Sequence, residues 1–156
     1  MDKKWIFLFI IFLAAILAMG SVDAAELKDH NFKDYFSMKI PKNVHFEKHE
    51  DSSHEDGIDM ISLSYLSKDL IIVYEAVPFF SENSSEFYYQ TVFESFCSDL
   101  DECYESQEGN LTILEPKKID DTHLAMVGTS SGTESVIIMG KDLDLIKKMG
   151  KSVDFK

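Results

Sequence analysis

Residues 61–78 read ISLSYLSKDLIIVYEAVP, and this stretch decides the predicted fold. Its first five residues alternate between apolar and polar side chains, the pattern of a strand with one buried face. The Ser-Lys-Asp triplet after Leu66 is typical of a turn, and the apolar run from Leu70 to Val77 predicts a central strand that Pro78 ends. Two strands joined by a short turn predict an antiparallel hairpin.

Further strands and two helices are predicted outside this hairpin. The strand segments lie around residues 36–40, 44–48, 111–119, 124–126 and 136–139. Apolar residues at helical spacing predict one helix over about 84–100 and a last helix that begins near Asp142. The order β-β-β-β-α-β-β-β-α predicts an α+β domain, in which a mostly antiparallel sheet of about six or seven strands is flanked by two helices.

The N-terminus has the pattern of a secretory signal. Two lysines precede the apolar run from Trp5 to Met19, and small residues follow as far as Ala24. We therefore expect a signal peptide over 1–24, a polar linker over 25–34 and one domain over 35–156. The apolar run has 15 residues, fewer than the roughly 20 that a membrane-spanning helix needs. An uncleaved N-terminal anchor is therefore kept as the alternative. In either case the domain is exported, to the medium or the cell surface, and contacts a membrane only through an uncleaved N-terminal segment.

The charge balance bears on the partners that this chain can have. It carries 28 acidic and 15 basic residues, all of the latter Lys, for a formal net charge of −13. An acidic surface repels phosphate backbones, so we expect no nucleic acid partner. Without Arg, the chain also has no bidentate guanidinium fork. The 45% hydrophobic content predicts a packed core.

An acidic, histidine-containing segment supplies candidate metal ligands. Residues 49–57 contain no apolar side chain before Gly57 and are predicted to form a loop. Imidazoles and carboxylates are legitimate metal ligands, although no spacing here fixes a geometry, and a solvated acidic loop is the alternative. The candidate ligands are His49, Glu50, Asp51, His54, Glu55 and Asp56.

If the protein is exported, its two cysteines and two glycosylation sequons become candidates for modification. Cys97 and Cys103 are the chain's two cysteines, and an exported protein with an even number invites a disulfide. The bridge requires the predicted helix to end near Leu100, and two free thiols are the alternative. Glycosylation sequons begin at Asn83 and Asn110. Because Asn83 stands at the predicted helix cap, Asn110 is the better acceptor.

The sequence shows none of the common catalytic motifs. It lacks a nucleophile elbow, a phosphate loop, a dinucleotide fingerprint and a zincin pattern. Ser130 and Ser131 lie near His123 in sequence, but no third residue is placed to orient such a pair. We therefore expect a protein that is not an enzyme and needs no cofactor.

Two stretches resemble the PsbP/Mog1-like domains. Residues 35–41 form an aromatic-led strand that ends in Pro41, with Phe46 following, and this resembles the family's first strand. Residues 144–155 resemble its terminal helix and final short strand. The resemblance implies an antiparallel sheet flanked by helices and a non-enzymatic binding or assembly role. Our leading hypothesis is a non-catalytic module of the cell envelope or extracellular space that binds a protein partner; the alternative is a cation-binding module using residues 49–56.

Overall fold

The computed structural model describes residues 26–55, 58–76, 103–120 and 123–156, and for residues 51, 53–55 and 58–60 it describes the backbone alone. The signal segment, the predicted helix over 84–100, Asn83, Cys97 and Asp56 lie outside the described residues. The strands are β1 (Leu27–Phe32), β2 (Phe36–Pro41), β3 (Glu47–Glu55), β4 (Ile58–Leu66), β5 (Leu70–Ala76), β6 (Cys103–Glu108), β7 (Leu111–Pro116), β8 (Ala125–Ser131), β9 (Glu134–Gly140) and β10 (Asp154–Phe155). One helix is described, α1 (Leu143–Gly150).

The ten strands form two sheets with antiparallel pairing. The smaller sheet has the order β1-β2-β10, and the larger has the order β3-β4-β5-β9-β8-β7-β6. In the larger sheet β4 and β9 flank β5, whose alternate residues Leu70, Ile72 and Tyr74 are buried. The predicted central strand is therefore the third of seven, and its hairpin with β4 is present.

The α+β prediction, with six or seven strands and two helices, is wrong. The described chain has ten strands, two sheets and one helix of eight residues. The missed strands are polar: β1 lies within the predicted linker 25–34, and β3 occupies the segment predicted as a loop. Both are edge strands, and an edge strand with few buried side chains lacks the alternating pattern that reveals a strand in sequence.

An aromatic cluster joins the two sheets. Phe36 of β2 stacks on Phe32 of β1 with ring centroids 4.5 Å apart, and on Tyr74 of β5 at 5.4 Å. Tyr65 of β4 meets the edge of Phe32 at 4.7 Å. Phe36 is fully buried and the other three rings are at most 8% exposed. Burial of such large side chains is the main force holding the small sheet on the large one.

Helix α1 packs on the same face of the large sheet as the small sheet does. Asp142 caps its N-terminus, because the carboxylate accepts a hydrogen bond from the backbone N–H of Leu145 at 2.9 Å. Ile146 and Met149 are fully buried against the large sheet. In the parts of the chain that the structure describes, no helix has the length and apolar character needed to cross a membrane.

The opposite face of the large sheet is also apolar. Leu114, Met126 and Ile137 form a second buried cluster there, on three neighbouring strands. Glu75 of β5 lies on the same face. It is opposite Ser62 of β4 and Ser135 of β9, and Ser135 is two residues from Ile137 and so shares its face of the sheet. Its Oε2 atom is buried with no hydrogen-bond partner among the described residues, and burial raises the pKa of this carboxyl to about 7.

Candidate functional site

A cleft opens where edge strands of the two sheets come together. β1 is an outer strand of the small sheet, and β3 is an outer strand of the large one. Residues 42–46, which connect β2 to β3, close one end of the gap. The cleft has a volume of about 510 Å³ and is lined by Lys28, His30, Phe32, Ile40, Lys42, Asn43, Val44, His45, Phe46, Lys48 and Tyr65.

The register of β1 explains which of its side chains reach the cleft. Lys28, His30 and Phe32 are two residues apart, so they share one face of the strand. Directly opposed residues of an antiparallel pair lie on the same face, and Lys28 is opposite Ile40 of β2. Ile40 is buried at 1% exposure, whereas Lys28 and His30 are exposed. The first half of β1 therefore extends past the core and forms one wall of the cleft.

The opposite wall comes from the large sheet. Lys48 of β3 is opposite Tyr65 of β4 in the antiparallel register, so both lie on the face that looks toward the small sheet. Tyr65 is 8% exposed, but every described side chain at positions 47–50 of β3 is exposed. The small sheet thus covers β4 and leaves the inner face of β3 open to solvent.

The inner end of the cleft is aromatic and apolar. Phe32 contacts Tyr65 edge to face, and His30 meets the ring of Phe32 in a T-shaped arrangement at 4.5 Å. Val44 and Phe46, from the connecting residues, are partly buried against the same core. A ligand that enters the cleft would therefore meet rings and aliphatic groups beneath a polar rim.

The polar rim is basic, although the protein is acidic. Lysines 28, 42 and 48 line the cleft with His30 and His45, and no Asp or Glu is among the lining residues. The chain as a whole carries 28 acidic residues against 15 lysines, so the local balance of charge is the reverse of the global one. A concave surface of one sign concentrates its field on a ligand of the opposite sign.

Two of the three lysines have a carboxylate partner just outside the cleft. Lys42 pairs with Glu26, whose side chain is 76% exposed. Lys48 Nζ lies 2.6 Å from Glu50 Oε2, and this bond raises the pKa of the lysine and lowers the pKa of the glutamate. Surface pairs of this kind contribute little and exchange readily. Lys28 forms no ion pair with any described residue.

The pKa values of the cleft residues reflect burial and positive charge. Burial lowers the pKa of His30, and the neighbouring Lys28 ammonium lowers it further. A bound anion would favour the protonated form of His30. Burial raises the pKa of the Tyr65 hydroxyl, while Lys48 acts in the opposite direction. Both rings thus place hydrogen-bonding groups within a lysine rim.

The candidate metal ligands are spread along a strand. His49 and Glu50 are consecutive residues of β3 and so belong to opposite faces, while residues 51, 54 and 55 continue the same strand. Within the described ranges no group of three or more His, Cys, Asp or Glu side chains could hold a metal ion. The side chains of residues 51, 54, 55 and 56 are not among those described, so the cation site over residues 49–56 remains a prediction.

The other candidate residues lie far from the cleft in the fold. Cys103 begins β6 and is half-buried; the predicted bridge to Cys97 involves a residue outside the described ranges and remains a prediction. Asn110 is exposed in the β6–β7 turn, where its side-chain amide donates to Thr129 Oγ1 at 3.2 Å. His123 pairs with Asp120 before β8, whereas Ser130 and Ser131 end β8, about 20 Å away for a strand of this length.

Sequence reasoning missed most residues of the cleft. Residues 25–34, which include β1, are predicted as a linker, and none of the predicted site residues lines the cleft. A usable signal was the alternation of Lys28, His30 and Phe32 with Asp29 and Asn31, because period two indicates a strand with one distinct face. The role of Lys42 and Lys48 depends on how the sheets meet, which no local pattern encodes.

We compared the chain with known proteins once its geometry was clear. Scans against protein-family models, curated proteins and solved structures each returned no match. Any assignment of function therefore depends on the chemistry of the cleft.

Proposed function

We propose that this protein is an exported, non-catalytic domain that binds a protein partner through the cleft between β1 and β3. The observation that carries the proposal is the reversal of charge: a basic, aromatic-floored cleft on a chain with a net charge of −13. Lysine side chains above aromatic and aliphatic groups suit a segment that presents carboxylates beside apolar side chains.

The partner is acidic by the same argument. The chain has no Arg, so its cationic groups are lysine ammoniums, which act as point charges on carboxylates. The rest of the surface repels acidic molecules at long range, so the cleft selects partners that carry their negative charge on a narrow segment. Complementary charge of this kind accelerates association and sets specificity more than affinity.

A partner capture with matched variants tests the function. We would recover complexes from the exported fraction of the native host at low salt, using the full-length protein and a Lys28→Gln/Lys42→Gln/Lys48→Gln variant. The control is Lys39→Gln, because Lys39 is exposed on β2 outside the cleft. We expect one stoichiometric partner with the wild type and the control, and its loss with the triple variant and at high salt. A partner that the triple variant retains, or no partner, would contradict the proposal.

A further inference from the structure

We propose that the acidic partner binds as an added β-strand along the edge of β1 that no described strand pairs with. This inference rests on the proposed function and specifies how the cleft would be filled. The occupant is an extended segment of about six residues, since β1 has that length, with carboxylates at alternate positions. It would become the fourth strand of the small sheet, in the order partner-β1-β2-β10.

The first argument is the unpaired edge. β1 pairs with β2 along its full length, from Leu27 opposite Pro41 to Phe32 opposite Phe36. Since β1 is the outer strand, its other edge presents backbone N–H and C=O groups that no described strand satisfies. Such an edge is a template for pairing with an extended chain, and the main-chain hydrogen bonds then provide affinity that does not depend on sequence.

The second argument is the uncovered floor beneath that edge. The small sheet contains three described strands and the large sheet seven, so no described strand faces β3. Lys48 and Glu50 lie on this inner face, with side chains 28% and 51% exposed. A strand added to β1 continues the small sheet toward β3 and places every second side chain in the cleft.

The third argument is charge. An incoming strand with carboxylates on its inner face would meet Lys28 and His30 from β1 and Lys48 from β3. Lys28 has no carboxylate partner in the described parts of the chain, so it is ready to accept one. The methylene groups of these inward side chains would reach the Phe32 and Tyr65 rings, whereas the side chains between them face away from the cleft. The edge residues Asp29 and Asn31 belong to the opposite face, whereas Glu50 shares the inner face, and an incoming carboxylate would replace it as the partner of Lys48.

The experiment uses a defined peptide and a backbone-blocked copy of it. The probe is acetyl-Glu-Val-Glu-Phe-Glu-Val-amide, added to the full-length protein. The copy carries N-methyl groups on alternate amides, which remove the hydrogen bonds to β1 but keep the carboxylates and side chains. NMR would report the β1 amides, and the titration of His30 would report a carboxylate in the cleft.

Strand addition predicts binding of the probe, slowed hydrogen exchange of the β1 edge amides and a higher His30 pKa. The N-methylated copy should bind about tenfold more weakly or worse, because several backbone hydrogen bonds are lost. Lys28→Gln and Lys48→Gln should each weaken the affinity for the probe roughly twofold to fivefold, and Lys39→Gln should leave that affinity unchanged.

Other outcomes separate this inference from the proposed function. Equal binding of both peptides, with the lysine dependence intact, would overturn strand addition while leaving an acid-binding cleft. Failure of the probe to bind, although the native partner is captured through the same lysines, would also overturn it. Dimerisation of the protein that Lys28→Gln abolishes would make a second copy the occupant and would overturn the assignment of an acidic partner strand.

Discussion

Glu75 shows how one residue can make the fold sensitive to pH. Its carboxyl lies on the outer face of the large sheet, opposite Ser62 and Ser135, and its buried Oε2 atom has no hydrogen-bond partner among the described residues. Burial disfavours the charged form, so the pKa rises from 4.5 to about 7. A carboxyl of this kind is more protonated in the folded state than in the unfolded state between those two values.

We expect Glu75 to reduce stability as pH rises. The contribution of Glu75 to the free energy of unfolding should be highest below pH 4.5, fall between pH 4.5 and 7, and stay lower above pH 7. Glu75→Gln keeps the shape without the charge, and should stabilise the protein by about 1–3 kcal/mol above pH 7 and much less below pH 4.5. Urea unfolding across this range measures the effect, with Glu115→Gln, an exposed position on β7, as the control. A Glu75→Gln protein with unchanged pH dependence would show that the carboxyl is not the cause.

At this scale the sequence predicts some residues and not others. The interior position of β5 follows from its apolar run, because apolar side chains on both faces indicate a strand inside a sheet. The cleft lysines could not be predicted, because each is an ordinary surface residue until the two sheet edges are placed together.

Among the elements, the last helix is closely defined by local chemistry. The expected acidic start and basic end are present in α1, with Asp142 as the cap, Asp144 in the first turn, and Lys147 and Lys148 in the last. Lys147 and Lys151 also pair with Glu108 of β6, and these bonds lower the pKa of Glu108 to about 2. The helix is thus tied to an edge of the large sheet.

Loss of the cap should weaken the whole domain, because α1 buries Ile146 and Met149. We expect Asp142→Ala to lower the free energy of unfolding by about 1 kcal/mol, since the Leu145 N–H loses its acceptor. Asp142→Asn retains a side-chain oxygen and should recover most of that loss. Thermal unfolding of the three proteins measures both effects. Equal destabilisation by the Ala and Asn substitutions would show that the carboxylate charge, rather than the capping bond, is what stabilises α1.

The edge strands are the elements that sequence patterns miss. β1, β3 and β6 are rich in charged and polar residues, which discourages unwanted pairing of exposed edges. The same composition hides them, because a strand needs a buried face to show apolar alternation. Their polarity led to the predicted linker and loop, and so to an α+β class in place of two β-sheets. At β1, lysine and histidine on the inner face make the edge selective for acidic chains.

The whole molecule depends on the contact between the two sheets. Phe36 stacks between Phe32 and Tyr74, and so joins β1 and β2 to the centre of the large sheet. The alternation of Phe36, Met38 and Ile40 predicts the buried face of β2, but the surface that it meets lies on strands distant in sequence. Sequence reasoning therefore identifies the side chains of this contact and leaves the arrangement of the sheets undetermined.

We expect Phe36→Ala to separate the two sheets before it unfolds the larger one. Removing a fully buried phenylalanine from a core costs about 3–5 kcal/mol, and here the cavity lies directly between the sheets. Hydrogen exchange should show greater loss of protection in β1, β2 and β10 than in β5 and β9. Tyr104→Ala, at a side chain that is 61% exposed, is the control and should leave both sheets unchanged.

The same variant connects stability to binding. Phe32 lines the cleft and is held by Phe36, so a small sheet that no longer packs on the large one also loses the wall that carries Lys28 and His30. Phe36→Ala should therefore abolish capture of the acidic partner at temperatures where β5 and β9 remain protected. Uniform loss of protection in both sheets would show instead that they unfold as one unit. Capture that persists after β1 and β2 have lost protection would place the binding surface elsewhere on the molecule.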